Sequence, residues 1–183
     1  MKSFALLVTV ALGGCAVAPA MIPTNPPATR ILPVAKLEVD DFATAKQVRE
    51  SDAVYFTGWF PIADKWVKPN FHEAITAKIK GSFKAGERGE MMQLAIIESG
   101  LFMDVKVADS VVFVSLASTF RDRPYKCNLV VNIKTSKGSE RREFEHVQVA
   151  NRAFSDLEDK SGFVSKCQDA LVQKLADYLT KAV

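Results

Sequence analysis

Tyr125–Val149, YKCNLVVNIKTSKGSERREFEHVQV, decides how this chain folds. Tyr125, Cys127, Leu129, Val131 and Ile133 fall on one side of an extended chain, and Lys126, Asn128, Asn132 and Lys134 on the other. That period of two describes a strand with one dry and one wet face. Ser136–Ser139 has turn composition, and Glu140–Val149 returns with Phe144, His146 and Gln148 alternating against Glu143, Glu145 and Val147, which predicts an antiparallel hairpin. A sheet with an apolar face needs a cover. The final segment, about Gly162 to Ala182, supplies one: Val164, Cys167, Leu171, Leu175 and Leu179 form an apolar stripe at helical spacing.

Towards the N-terminus, Leu101–Val107 and Val111–Ser118 read as strands, with a polar turn at Arg121–Pro124. Glu90–Glu98 reads as a helix carrying Met91, Leu94, Ala95 and Ile97, with Gly100 at its C-cap. Residues 71–84 fit two periods. Phe71, Ile75, Ile79 and Phe83 recur every four residues behind an Asn70–Glu73 capping box, as in a helix. Ile75, Ala77, Ile79, Gly81 and Phe83 also alternate with polar residues, as in a strand, and Gly81 disfavours a helix. The strand is the preferred reading. Gly86–Gly89 is a turn, Ile31–Asp40 a first strand, Ala43–Ser51 a short helix, Val54–Phe60 an aromatic stretch, and 61–70 a loop. Together these elements predict a single two-layer α+β domain over residues 31–183, mainly antiparallel sheet with helices packed on one face.

The first residues do not belong to that domain. Lys2 precedes the nine-residue apolar run FALLVTVAL, Phe4–Leu12, too short for a membrane span of about 20 residues but suited to a signal peptide over residues 1–14. Leu12-Gly13-Gly14-Cys15 resembles the lipobox of bacterial lipoproteins. That resemblance implies a diacylglyceryl group on the Cys15 thiol, cleavage before it and acylation of the new amine. Two or three acyl chains anchor stably where one is marginal. The alternative is an ordinary signal cut after Ala18 or Ala20. Ala16 stands where retention signals of such lipoproteins carry Asp, so the resemblance implies an anchor in the outer membrane, facing the periplasm. Residues 15–30 hold four of the eight prolines and predict an extended tether between lipid and domain.

Removing Lys2 from the 24 basic residues leaves 23 against 21 acidic ones, a near-neutral balance that argues against a nucleic-acid partner. Cys127 and Cys167 both point to the boundary between sheet and helix. In an oxidising compartment they predict a disulfide, the alternative being two buried thiols. His72 and His146 have no His or Cys at metal-ligand spacing and no nucleophile-elbow serine beside them. Asp40-Asp41 and Glu143 with Glu145 read as solvated charges, and Gly86, Gly89 and Gly100 form no phosphate loop. No catalytic residue, metal or cofactor is expected. Tyr55, Trp59 and Trp66 belong to the one aromatic cluster that could form a binding surface, although large aromatics more often pack inside.

MMQLAIIESGLFMDVKV, Met91–Val107, resembles the auxiliary lipoproteins of ABC-type transport systems and, more distantly, curli-secretion-type lipoproteins. In them a helix often ends at SGLF before a strand, and an amphipathic helix closes the chain. The resemblance covers about half of the mature chain and implies a non-catalytic accessory or assembly component of an envelope complex, with an envelope protein as partner. A lipid- or small-ligand-binding module and an envelope hydrolase are the alternatives.

Overall fold

In the computed structural model the hairpin lies where its alternation places it, as β8 (Arg123–Thr135) and β9 (Gly138–Ala150), joined through Ser136 and Lys137. The structure describes residues 19–41, 58–62, 66–87, 89–105, 122–154 and 157–182. The expected elements at Ala43–Ser51 and Val111–Ser118 lie outside them. Tyr125, Cys127, Leu129, Val131 and Ile133 are all buried on the inner face of β8. The C-terminal helix Lys160–Ala182 covers this face, and its stripe Val164, Cys167, Leu171, Leu175 and Leu179 is fully buried. Asp159 caps its start, accepting a hydrogen bond from the Gly162 amide at 2.7 Å.

Two expectations are overturned on the N-terminal side of the hairpin. Glu90–Glu98 is not a helix, and Gly100 caps nothing: Met91–Val105 is one 15-residue strand, β7, antiparallel to β8. Met92, Leu94 and Ile96 face the core, the register shifts between Ile96 and Glu98, and Ser99, Leu101 and Met103 then stand opposite the inward residues of β8. A bulge changes which parity of residues faces inward. The inward set therefore runs 92, 94, 96, 99, 101, 103, and no single period of two describes it. SGLF lies inside this strand, so the helix on which the resemblance to transport auxiliary lipoproteins was drawn is not formed.

Residues 71–84 are likewise not a strand. Phe71–Ser82 is the helix α1, and only Phe83–Ala85 is extended, as β6. The Asn70 side chain accepts from the Glu73 amide at 2.8 Å, completing the N-cap. Phe71, Ile75 and Ile79 are buried as a four-residue stripe. Gly81, which counted against a helix, is a point of close approach: a Cβ there would come within 3.1 Å of Pro26 Cγ.

The long edge of β7 is shared end to end. β3 (Lys36–Asp41) runs parallel to Met91–Ile96, and β4 (Gly58–Pro61) runs antiparallel to Phe102–Val105. The expected first strand Ile31–Asp40 is split in two, because Arg30–Leu32 leaves the sheet to pair with β6 as β2. The proline-rich segment is not a free tether over its described part. Ala20–Met21 (β1) pairs in parallel with Val67–Lys68 (β5), the Ile22 amide donates to the Lys68 carbonyl at 2.7 Å, and Ala20 and Ile22 are buried. The fold is thus a single α+β domain, a mixed, mostly antiparallel sheet with α1 and the C-terminal helix, α2, on one face.

Candidate functional site

The sheet face away from the helices carries a mixed aromatic and charged patch. Directly opposed residues of paired strands share a face. The register therefore sets Trp59 opposite Asp104, Phe102 opposite Lys126, Lys126 opposite Val147, and Pro124 opposite Val149. The Lys126 ammonium stands 5.3 Å from the Trp59 ring centroid and 5.9 Å from that of Phe102, and donates to Glu145 at 2.7 Å. Both distances suit cation–π attraction. Gly100 makes room for this arrangement, since a Cβ there would lie 2.8 Å from the Phe102 ring. Trp59, Val147 and Val149 are exposed around the ammonium. Such a surface can take an apolar group and an anionic one side by side.

The three aromatics expected to form one surface separate. Trp59 belongs to this patch, Trp66 packs against the core, and Tyr55 lies outside the described residues, as does Cys15. Cys127 and Cys167 come together as a disulfide, with Cα atoms 6.2 Å apart and both side chains buried. Among the described residues, Leu94, Ile96, Leu129, Val131, Ile75, Ile79 and Leu171 pack between the layers and are buried. Two depressions lie elsewhere among the described residues. One of about 210 Å³ is bordered by Pro33, Glu90 and Lys137, and one of about 380 Å³ by Gln93, Asn132 and Lys134.

A hydrogen-bonded relay joins three residues that sequence reasoning left apart. His72 Nδ1 lies 2.7 Å from Ser99 Oγ, and His72 Nε2 lies 2.8 Å from Asp41 Oδ1. With Nε2–H donating to the carboxylate, Nδ1 accepts from the serine hydroxyl, a Ser–His–Asp order with the two ring nitrogens exchanged relative to acyl-transfer triads. The same bonds fasten the first turn of α1 to the end of β3 and the middle of β7. His72 and Asp41 are 31 residues apart, and His72 and Ser99 are 27, so no local motif signals them.

Charged groups elsewhere tie the layers together. Lys78 is buried on α1, and its ammonium donates to Ser165 Oγ and Asp169 Oδ1 on α2, both at 2.7 Å. His146, on the inner side of β9, is held below the usual imidazole range by burial and then by the Lys174 ammonium. The Tyr178 hydroxyl, and then Arg142, hold the Glu140 carboxyl below the usual carboxylate range. Among the described residues, no group of three His, Cys, Asp or Glu side chains is placed to hold a metal ion, and no helix is long and apolar enough to cross a membrane.

No protein-family model matches the chain, and no curated protein matches it. Among solved structures, the crystal structure of an uncharacterized protein superposes with a TM-score of 0.34 at 10% sequence identity, covering 90% of this chain and 99% of that one.

Proposed function

We propose that this chain is a non-catalytic lipoprotein of the bacterial envelope, anchored through lipid on Cys15 at the periplasmic face of the outer membrane. It serves there as an accessory or assembly component of an envelope complex, such as a transport complex, and its partner is an envelope protein. The observation that supports a binding role is the patch in which exposed Trp59, Val147 and Val149 surround the half-buried Phe102 and Lys126. Protein contacts concentrate on aromatic anchors beside charged groups in this way. The Cys127–Cys167 disulfide is in keeping with an exported address. A ligand module would need an apolar groove between the layers, where among the described residues the side chains are packed and buried.

The test is capture of the lipidated protein from detergent-solubilised envelopes, with mass spectrometry of protein and lipid, alongside the Lys126→Glu variant. A stoichiometric envelope protein that is lost from the variant supports the reading. Copurifying lipid with no protein favours the ligand module instead.

The hydrolase reading has one observation in its favour, the Ser99–His72–Asp41 relay. Neither described depression opens onto it. Stoichiometric labelling of Ser99 by a fluorophosphonate, absent in His72→Ala, would establish that reading against the non-catalytic one.

A further inference from the structure

The seating of the chain's start on the domain fixes how close the domain can stand to a bilayer. A tether free from Cys15 to Ile31 would span up to about 55 Å when extended. The structure shortens it, because Ala20 and Ile22 are buried and Ala20–Met21 is paired with β5. From Cys15 to Ala20 there are five residue steps, a reach of at most about 18 Å. The headgroup layer outside the hydrocarbon occupies roughly 5–8 Å of that on each side.

We infer that the domain lies end-on against the membrane surface, with its β1–β5 end at the lipid headgroups and the β8–β9 turn pointing away. This rests on the lipid anchor of the proposed function and adds an orientation to it. The direction follows from the chain path. β5 leads directly into the first turn of α1, which is tied to Ser99 and Asp41, and α1 then runs towards β6 and Leu32. β2, β6 and Glu90 adjoin the end of the sheet that carries the hairpin turn, where Ser136 bonds to Glu90. β1 therefore occupies the opposite half.

The side chains of that half suit a headgroup surface. Met21 is 66% exposed on β1, beside exposed Lys68 on β5. At the same end of the sheet, Val149 and Trp59 are exposed, with Lys126 against the indole. Tryptophan and lysine are the side chains that sit comfortably where hydrocarbon meets water. By contrast Lys137 lies at the hairpin turn, past Thr135, which stands roughly 20 Å along β8 from Leu129, the residue opposite the Ser99 that ties the start of α1.

The test uses lipidated full-length protein in phosphatidylethanolamine–phosphatidylglycerol vesicles, with a bimane probe on Met21→Cys or on Lys137→Cys and a spin-labelled headgroup as quencher. Quenching at position 21 is expected to exceed that at 137 by at least about twofold, because the hairpin turn stands roughly 20 Å farther along the sheet. Inserting twelve Gly/Ser residues between Ala18 and Pro19 lengthens the reach without touching the domain, and should abolish the contrast. Equal quenching in protein whose Cys15 carries lipid by mass spectrometry overturns the orientation alone. A Cys15 without lipid overturns both the orientation and the anchored reading.

Discussion

Replacing Asp169 by alanine should destabilise the domain far more than replacing its partner Lys78 by methionine. The Lys78 side chain is 1% exposed, whereas that of Asp169 is 41% exposed. Removing the carboxylate leaves an ammonium between two helices with, among the described residues, the Ser165 hydroxyl as its hydrogen-bond partner. Breaking a buried ion pair from one side costs about 3–5 kcal/mol, and the partial exposure of Asp169 reduces this to roughly 2–3 kcal/mol. Lys78→Met instead removes the buried charge, keeps most of the apolar stem and leaves Asp169 free to hydrate. Its cost should be about 0–1 kcal/mol. Urea unfolding resolves the difference: with a slope near 2 kcal/mol/M, Asp169→Ala lowers the midpoint by about 1–1.5 M and Lys78→Met by less than about 0.5 M. The double variant should resemble Lys78→Met alone, because the orphaned charge is gone. Equal losses in the two single variants, or a double variant equal to their sum, would refute the argument.

Three further outcomes follow from the same structure. Removing the Cys127–Cys167 bond, which closes a 40-residue separation, should cost about 4 kcal/mol in the loop-entropy account, measured by unfolding Cys127→Ala/Cys167→Ala against the oxidised parent. Asn70→Ala removes the acceptor for the Glu73 amide and should cost about 1 kcal/mol, with Asn70→Asp close to the parent in thermal melts. His146 is held neutral in the fold, so between its unfolded value near 6.5 and its lower folded value the unfolded chain binds more protons. Its contribution is therefore present above about pH 6.5 and is lost as pH falls towards the folded value. His146→Gln should flatten that part of the stability–pH curve, and an unchanged curve would dismiss the residue as its source.

The parts legible in the sequence are those in which one physical pattern acts alone. β8 alternates clearly on its inner face, although Asn128 and Val130 on its outer face are buried too, and α2 has one unbroken stripe, so both announce themselves, and with them the facing positions of Cys127 and Cys167. Where patterns compete, propensity gave the wrong answer. In 71–84, periods of two and four both fit; the helix that forms is capped by Asn70 and buries Phe71, Ile75 and Ile79, and Gly81, read as an argument for strand, lies against Pro26, a contact no local pattern signals. In β7 the bulge after Ile96 changes parity, while Ala95 on the opposite face is also buried, so the alternation is lost to a single-sequence reading. Gly100 looked like the end of a helix because glycine is common there. Its place beneath the Phe102 ring depends on a contact that only the folded strand creates. The His72–Ser99–Asp41 relay and the Lys126 patch draw on residues from separate elements, and proximity of that kind has no local signature.

The two-residue pairing of β1 with β5 also has a mechanical side. It is the first described attachment met by a pull on the N-terminus, and it is far smaller than the 13-residue ladder between β8 and β9. Tension would therefore detach this rung and withdraw Ala20 and Ile22 while leaving the main sheet intact. Each residue released lengthens the leash by about 3.5 Å. The seat of β1 is in this sense a release catch, converting a domain held close into one on a long lead, and slack lets it re-engage.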